Sequence, residues 1–336
     1  MSAPHFTILA PWLSDTDWSG NLCSYFQRLL GGGNCNVVYS PCQYDPASSF
    51  GWLVPKMDIS VRMLDSAMAG EFGGNVLVID PNYVNIRALR YLVGNKGRII
   101  SLVHGGAFQK YDLETQYVEK WNPAKRRYEE GYFGLVDRIV LPSKHAKKIF
   151  SSQYRSLTRK ITVIPYPVKN IPDGKASCQE RNGIVVPCRN SYEKGSDVIA
   201  SLLNSSKLNI TRMQNLRQKE YFECVAGAML TLIPSRADLY GMAAIESIYA
   251  GTIPVVPFAF SYPEYIKLPR NLFLSHPIGR ATCKEIISVY NKISSFSTDE
   301  YREVISVAKS HLAKRLRGMD SKFLMELQNL RQQGAI

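Results

Sequence analysis

The chain has 336 residues, of which 45% are hydrophobic and 21% are charged, a balance that is typical of globular proteins and excludes a disordered or fibrous one. At roughly 100–200 residues per domain, this length favours two domains. The net charge of +13 attracts the phosphates of nucleic acids, nucleotides or anionic lipids. The sequence shows neither a long apolar stretch nor a secretory signal, so we expect a cytoplasmic protein.

Short apolar runs alternate with helical stretches through the first half of the chain. This pattern is typical of parallel strands that are buried on both faces and joined by helices. The predicted strands are residues 6–10, 37–39, 76–79, 99–103, 139–141 and 161–164, and the predicted helices are residues 128–135 and 144–154. The seven cysteines contain no C-x-x-C pair, so we expect reduced thiols and no zinc site.

A stretch rich in Pro, Gly and polar residues, 169–180, interrupts this pattern and reads as a linker. The predicted domains are therefore residues 1–168 and 181–317, followed by a C-terminal helix, 318–336, that can cross back to the first domain. The second domain repeats the alternation. Its predicted strands are residues 183–186, 208–212, 229–233, 253–256 and 272–274, its predicted helices are residues 195–203, 218–227 and 242–250, and amphipathic helices are predicted over 298–333.

The stretch LTLIPSRADLYGMAAIESIYAGTIPVV, residues 230–256, runs strand, polar loop, helix, glycine stop and strand. Asp238 and Glu246 lie eight positions apart around Gly241, which opens the helix. This stretch resembles the nucleotide-sugar-binding signature of retaining GT-B glycosyltransferases. The resemblance implies an α/β protein of two Rossmann-like, doubly wound domains that face each other across a cleft. It also implies that the second domain holds the donor and the first domain holds the acceptor.

Free N–H groups at the start of that helix can hold a diphosphate. Glu246, one turn further, can accept hydrogen bonds from ribose hydroxyls, and Asp238 would reach the transferred sugar as a catalytic residue. The family usually has Glu at the position of Asp238. The residues predicted to offer backbone groups to the phosphates are Tyr240, Gly241, Met242 and Ala243.

Other donor-binding residues follow from the same resemblance. Arg189 and Lys194, in the loop of GIVVPCRNSYEKGSDVIASLL, resemble the phosphate-binding cations of the family and would neutralise the leaving diphosphate. His104 follows a predicted strand, where relatives often carry a His that contacts the donor. Gly20 and Asn21 would let the first helix approach the donor phosphate.

Several other chemistries are weighed against this interpretation. Asp15 and Asp17 form a D-x-D that could bind a divalent cation, but the cations of the second domain make a metal-independent transfer the better prediction. No G-x-G-x-x-G follows the first strand, which disfavours nicotinamide chemistry, and a P-loop is absent. We therefore expect a UDP- or GDP-sugar as substrate and no separate cofactor.

The acceptor prediction depends on charge. Residues 119–169 contain twelve basic and four acidic residues, and cations that alternate with aromatic rings are typical of nucleic-acid binding. The short second domain also resembles phage-encoded DNA glycosyltransferases, which would place the protein in the host cytoplasm. The predicted acceptor is thus a hydroxylated base in DNA. Its predicted contacts are Lys120, Trp121, Lys125, Arg126 and Arg127.

Two alternatives stay open at this point. The same positive charge could attract an anionic membrane surface, and the acceptor would then be a membrane lipid or a cell-surface saccharide. The other alternative is a non-catalytic nucleic-acid-binding module on a degenerate GT-B fold. Arg189, Lys194 and Glu246 argue against it, because a pure binding module has no evident need for a nucleotide-sugar site.

Overall fold

The structure is a computed structural model that describes residues 6–13, 18–31, 35–42, 53–109, 122–168, 181–205, 207–213, 216–279 and 281–333. The chain divides into two compact units, Met1–Pro167 with Gly318–Ile336, and Val168–Arg317. Each unit contains a parallel sheet with helices between its strands. The predicted α/β class with two Rossmann-like domains is confirmed.

The first unit is built on six parallel strands in the order β2-β1-β3-β4-β5-β6. Ile8 of β1 lies opposite Val37 of β2 and Leu77 of β3, and all five residues of β1 are buried. Strands that are covered on both faces need mostly apolar side chains, as the sequences of β1 and β3 show. The strands are β1 (Phe6–Ala10), β2 (Cys35–Tyr39), β3 (Asn75–Ile79), β4 (Arg98–Leu102), β5 (Arg138–Leu141) and β6 (Ile161–Val163).

The described helices of the first unit follow the strands in the sequence. Local capping fixes where some of them begin: the side chain of Asn85 accepts a hydrogen bond from the N–H of Ala88, and Ser143 does the same for Ala146. These helices are α1 (Trp18–Leu29), α2 (Leu53–Met68), α3 (Ile86–Val93), α4 (Asn122–Phe133) and α5 (Lys144–Gln153). None of the helices in the described ranges is long and apolar enough to cross a membrane.

The second unit contains four parallel strands in the order β10-β9-β7-β8. Its three-residue strands β7, β9 and β10 are fully buried. The strands are β7 (Ile184–Val186), β8 (Ile210–Arg212), β9 (Leu230–Leu232) and β10 (Ile253–Val255). The helices are α6 (Ser196–Ser205), α7 (Gln218–Gly227), α8 (Met242–Tyr249), α9 (Tyr262–Tyr265), α10 (Thr282–Ser294) and α11 (Thr298–Leu316).

The last helix, α12 (Met319–Gln333), belongs to the first unit. Gly318 separates it from α11 and has a φ of 72°, a value that glycine adopts without strain. The ring of Phe323 packs edge-on against Phe26 of α1 at 4.9 Å, and Glu326 accepts a hydrogen bond from Thr162 at 3.0 Å. These contacts tie α12 to both α1 and β6.

The predicted strand over residues 272–274 is wrong. Arg270–Leu272 forms a 3-10 turn, and Leu274 makes only a single bridge to Pro257. Leu272 and Leu274 are nevertheless buried, so the apolar run that suggested a strand reflects burial of a turn. Burial alone does not distinguish the two structures in so short a segment.

Candidate functional site

Two loops of the second unit leave neighbouring strands at the carboxyl edge of the sheet. β7 pairs with β9, so the loop that follows β7 and the loop that follows β9 lie side by side, where parallel α/β sheets bind ligands. Lys194 of the first loop and Asp238 of the second form an ion pair, with Nζ 3.2 Å from Oδ2. The two loops that carry the predicted donor residues are therefore in direct contact.

Both carboxylate oxygens of Asp238 are occupied. Oδ1 accepts hydrogen bonds from the N–H groups of Tyr240 at 3.2 Å and Gly241 at 2.7 Å. Oδ2 accepts from Lys194 and from the hydroxyl of Tyr262 at 2.9 Å. Burial raises the pKa of Asp238, but these donors outweigh burial and hold that pKa below its usual 3.8. The carboxylate is thus ionised and fixes the start of α8.

This arrangement corrects one expectation about the helix start. Tyr240 and Gly241 do not offer free N–H groups, because Asp238 takes both. The N–H groups of Met242 and Ala243, the first two of α8, have no hydrogen-bond acceptor in the described part of the chain. They are the groups that can bind an anion, since a helix start carries partial positive charge.

Gly241 is the residue that this turn requires. Its φ is 77°, and a Cβ at this position would lie 2.5 Å from Cε1 of Tyr262. Only glycine adopts this conformation without strain and leaves room for the ring. The Tyr262 ring is therefore placed against the turn, with its hydroxyl on Asp238.

Glu246 projects from α8 toward α7. Its Oε2 accepts a hydrogen bond from the hydroxyl of Tyr221 at 2.8 Å. Burial raises the pKa of Glu246 to about 7, and the hydrogen bond from Tyr221 opposes this rise. Oε1 has no hydrogen-bond partner among the described residues, so the carboxylate retains capacity for a ligand.

Arg189 lies in the loop after β7, with its side chain about half exposed (53%). Its Nε lies 2.8 Å from Oε1 of buried Glu193, which also accepts a hydrogen bond from Ser191 at 2.6 Å. Burial raises the pKa of Glu193, but Arg189 and Ser191 outweigh burial and leave it below the usual 4.5. This contact orients the guanidinium in the loop after β7.

A third cation near these loops has a structural role. Arg236 is buried and binds both oxygens of Asp197 at 2.7 and 2.8 Å. Its guanidinium also lies 4.0 Å from the centre of the Tyr192 ring. Because its side chain is only 7% exposed, Arg236 is a poor candidate for phosphate binding, whereas the side chain of Arg189 is about half exposed.

The donor residues predicted in the first unit lie at the start of α1 and after β4. The imidazole of His104 stacks on Trp18, with centroids 4.1 Å apart and planes 6° from parallel. Gly20 is buried, and Asn21 is partly buried with an Oδ1 that has no partner in the described residues. Trp18 and His104 thus bring α1 and the loop after β4 together.

The predicted acceptor residues are only partly described. Lys120 and Trp121 lie outside the described residues. Nζ of Lys125 lies 3.9 Å from Glu129, and Arg126 donates from Nε to the carbonyl oxygen of Ala107 at 3.1 Å. Arg127 is exposed. Two cations of the cluster therefore contact protein groups instead of standing free on the surface.

The positive charge is spread over both units. The first unit contains 21 Lys and Arg against 15 Asp and Glu, and the second contains 20 against 13. The expected concentration of charge in the acceptor-side domain is therefore wrong at the level of whole units. Acidic residues outside 119–169 offset the local excess.

Sequence reasoning missed three residues that shape the site. Tyr221 and Tyr262 each lie more than twenty positions from the carboxylate that they bind, and Glu193 is the buried partner of Arg189. Glu193 could have been found from the sequence, because a carboxylate four residues after an arginine suggests an ion pair. Nothing in the sequence pairs either tyrosine with its carboxylate.

Solved structures share this architecture. Sucrose-phosphate synthase from Thermosynechococcus elongatus matches with a TM-score of 0.69 at 11% identity, over 98% of this chain and 99% of that chain. The UDP-forming α,α-trehalose-phosphate synthase of Burkholderia vietnamiensis matches with 0.67 at 10% identity, over the whole of both chains. Anabaena HepE, solved with UDP and glucose, matches with 0.64 at 13% identity, over 96% and 99%.

The chain has the GT-B fold. No protein-family model matches the sequence, and a search of the curated proteins finds no match. Of the predicted donor residues, Arg189, Lys194 and Gly241 lie in the second of the two Rossmann-like domains. In that domain they occupy the edge of the sheet at which α/β folds bind ligands.

Proposed function

We propose that this GT-B protein transfers a hexose or pentose from a UDP-sugar to an acceptor hydroxyl, with retention of the anomeric configuration. The Lys194–Asp238 ion pair carries the proposal, because it joins a cation after β7 to the turn that starts α8. A cation and helical N–H groups in contact suit a diphosphate. The UDP bound to the similar HepE supports uridine as the nucleoside of the donor.

Lys194 retains donors for the diphosphate despite its carboxylate partner. An ammonium has three N–H donors, and the contact to Asp238 uses one of them. Arg189 lies in the same loop with its side chain about half exposed (53%). The carboxylates also keep the ligand-free site close to neutral. Arg189 and Lys194 are thus oriented before the donor arrives, which lowers the entropic cost of binding.

Glu246 is proposed to bind the ribose. Its free Oε1 and the second lone pair of Oε2 can accept hydrogen bonds from two hydroxyls. The hydroxyl of Tyr221 on α7 donates a hydrogen bond to Oε2 of Glu246, and this bond fixes the orientation of the carboxylate. These contacts require the ionised form, which a pKa of about 7 makes available only in part at neutral pH.

The transfer itself needs stabilisation of the leaving group more than a protein nucleophile. The bond from the anomeric carbon to the β-phosphate oxygen breaks while the acceptor oxygen bonds to the same face of the sugar. The acceptor proton passes to the departing phosphate oxygen. Arg189, Lys194 and the N–H groups of Met242 and Ala243 stabilise the charge that grows on UDP, and no divalent cation is part of this proposal.

The structure changes the role proposed for Asp238. With both oxygens engaged, it is a positioning residue that orients Lys194 and the start of α8, instead of a group that contacts the sugar. Contact of the donor with His104, Gly20 and Asn21 stays a prediction. The stacking of His104 on Trp18 would hold the imidazole in one orientation for such a contact.

A hydroxylated base in DNA stays the acceptor predicted from the sequence, and a lipid or saccharide hydroxyl stays the alternative. One observation that favoured DNA was an excess of cations in one domain, and the similar net charge of the two units no longer supports it. Arg127 is the member of the cluster whose exposed position still suits a phosphate. The acceptor therefore has to be identified by the product.

The test begins with the donor. The unfolding temperature of the purified protein is measured with UDP, with GDP and with a panel of UDP- and GDP-sugars. A ligand present at 100 times its Kd adds about 2.7 kcal/mol to the free energy of unfolding. The preferred donor is then supplied with a labelled sugar to DNA that carries hydroxylated pyrimidines, to a lipid extract and to small saccharides. NMR of the product reads the anomeric configuration.

We expect stabilisation by UDP and by one UDP-sugar, and a product with the anomeric configuration of the donor. The variants Arg189→Ala and Lys194→Ala should weaken this stabilisation. Their matched control is Lys219→Ala, which removes an exposed lysine of the same unit. Stabilisation by no nucleotide would contradict the proposed donor site. Inversion at the anomeric carbon would contradict the mechanism but not the donor site.

A further inference from the structure

The loop that follows β4 carries His104, the residue predicted to contact the donor, and continues with Gly105 and Gly106. Glycine has more backbone freedom than any other residue, so two glycines in succession leave the course of a loop undetermined unless other groups hold it. We call residues 104–108 the His104 loop. Three side chains of α4 fix the backbone of this loop, two directly and one through Asn82.

Glu129 of α4 makes the central contact with the His104 loop. Its carboxylate accepts the N–H of Ala107, with Oε1 at 2.8 Å and Oε2 at 2.9 Å from the nitrogen. Oε2 also accepts a hydrogen bond from the hydroxyl of Tyr154 at 2.6 Å. Glu129 is fully buried, and burial of a carboxylate costs stability that burial of an apolar side chain does not. A glutamate at this core position therefore suits the holding of a backbone N–H better than it suits packing.

Arg126 lies one turn before Glu129 on the same side of α4. Its Nε donates a hydrogen bond to the carbonyl oxygen of Ala107 at 3.1 Å. Because Glu129 accepts the N–H of the same residue, α4 bonds both backbone groups of Ala107. The sequence predicted Arg126 as a contact of the acceptor, whereas in the structure its Nε contacts the loop that carries His104.

Tyr132, a further turn along α4, acts on the His104 loop through Asn82. Its hydroxyl donates a hydrogen bond to Oδ1 of Asn82 at 2.8 Å, and Nδ2 of Asn82 donates to the carbonyl oxygen of Gly105 at 3.1 Å. Asp80 accepts hydrogen bonds from the backbone N–H and from Nδ2 of Asn82 at 3.1 and 2.9 Å. The φ of Asp80 is 59°, a strained value for a residue with a side chain, and such strain persists only where the surrounding contacts fix it.

Packing closes the far end of the His104 loop. Phe108 is buried, and the centre of its ring lies 5.1 Å from that of Phe150 and 6.2 Å from that of Tyr154. A Cβ on Gly106 would lie 2.8 Å from Cε1 of Phe108 and 3.1 Å from Oε2 of Glu129. The loop thus lies directly against the carboxylate, and position 106 leaves no room for a side chain.

We propose that Glu129 is a positioning residue for glycosyl transfer. By accepting the N–H of Ala107 it fixes the His104 loop, and with it the imidazole of His104, which stacks on Trp18 at 4.1 Å. This inference rests on the proposed function, in which His104 contacts the donor. Misplacement of a group at a reaction site by about 1 Å can lower the rate about 100-fold. The contacts between α4 and this loop therefore matter to turnover as well as to folding.

Variants of α4 separate this role from a purely structural one. Glu129→Leu keeps a side chain of similar size in the core but accepts no hydrogen bond, whereas Glu129→Gln retains an oxygen that can accept the N–H of Ala107. The matched control is Glu130→Gln, which changes the adjacent carboxylate, the acceptor of a solvent-exposed hydrogen bond from Ser156 at 2.7 Å. Circular dichroism verifies that each variant is folded.

The first readout is NMR of protein that carries isotope-labelled histidine, of which the chain has five. The variant His104→Gln assigns the signal of His104. The ring current of an indole shifts the proton signals of an imidazole stacked on it upfield, so this signal reports the stacking of His104 on Trp18. We expect the upfield position in wild type, in Glu129→Gln and in Glu130→Gln, and its loss in Glu129→Leu.

The second readout is steady-state kinetics with the preferred UDP-sugar. Glu129→Leu should lower kcat at least tenfold, and Glu129→Gln should restore it to within about threefold of wild type. Glu130→Gln should retain the kcat of wild type. The UDP-induced thermal shift should be the same in all of these variants, because the proposed UDP contacts lie in the second unit. A loss of position is thereby distinguished from a loss of donor binding.

An unchanged His104 signal in folded Glu129→Leu would overturn the proposal, as would a displaced signal together with the kcat of wild type. If Glu129→Leu does not fold, Arg126→Met is measured by NMR in its place, and an unchanged His104 signal in that variant would overturn the proposal too. Absence of transfer by the wild type would contradict the proposed function alone. The NMR comparison does not depend on activity, so it still decides whether α4 holds the His104 loop.

Discussion

Lys194 and Asp238 lie 44 positions apart in the sequence, yet Nζ of the lysine is 3.2 Å from the carboxylate of the aspartate. Asp238 also accepts two backbone hydrogen bonds at the start of α8 and one from Tyr262. One carboxylate therefore fixes a cation, a helix start and an aromatic ring in a single arrangement. Its removal should disturb all three together.

Asp238→Ala should destabilise the protein by about 3 kcal/mol, because loss of one partner leaves Lys194 uncompensated and the N–H groups of residues 240 and 241 unsatisfied. Urea denaturation at pH 7 measures the change. The control is Glu223→Ala, which breaks an exposed ion pair with Lys219 and should cost less than about 1 kcal/mol. Equal effects of the two substitutions would contradict the structural role of Asp238.

Glu246 should make donor binding depend on pH. Its pKa of about 7 means that the ionised form, which accepts ribose hydrogen bonds, increases as pH rises toward 8. The affinity for a UDP-sugar, whose diphosphate does not titrate in this range, should rise by about three- to tenfold between pH 6 and 8. Calorimetric titration across this range measures it, and Glu246→Gln should give a flat profile.

The same experiment tests the role of Tyr221, whose hydrogen bond lowers the pKa of Glu246. Tyr221→Phe should move the midpoint of the affinity profile to higher pH. The raised pKa of Glu246 also affects the free energy of unfolding. As pH rises from 4.5 toward 7, this carboxyl ionises in the unfolded chain before it ionises in the folded protein, so the free energy of unfolding should fall over this window. A midpoint that stays in place in Tyr221→Phe would contradict this contact.

Gly241→Ala should disrupt the turn before α8. The left-handed conformation costs about 1–2 kcal/mol for a residue with a Cβ, and the added atom would lie 2.5 Å from the ring of Tyr262. We expect a loss of at least 2 kcal/mol in thermal unfolding and a loss of UDP binding. In Gly227→Ala the Cβ meets no atom within 4 Å, and this helical position should tolerate alanine or gain about 0.5–1 kcal/mol.

Arg189→Ala and Lys194→Ala should each lower turnover about 100-fold or more, as expected for a preorganised contact to the charge of a leaving group. The effect should fall mainly on kcat, since that charge grows as the bond breaks. Steady-state kinetics with the preferred UDP-sugar measures it. Lys219→Ala should retain wild-type kinetics, and full activity in either site variant would remove that residue from the mechanism.

Much of the fold could be predicted because buried parallel strands leave a local signature. The strand over residues 6–10 and the helix over 218–227 match the structure at both ends. The segment 272–274 failed because its apolar residues are buried in a turn. For the site, the resemblance of two segments to the motifs of retaining GT-B glycosyltransferases supplied Arg189, Lys194, Asp238 and Glu246 as candidates.

The sequence by itself determined which elements form and which loops carry charged residues, because strand and helix patterns depend on neighbours a few positions away. Only the tertiary structure decided that Asp238 accepts hydrogen bonds from Lys194 and Tyr262, and that Glu246 accepts one from Tyr221. It also decided that α12 belongs to the first unit. It further decided that one apolar face of α2 is buried and that, among the described residues, the other is exposed. These features depend on contacts between residues far apart in the chain, which only packing in three dimensions brings together.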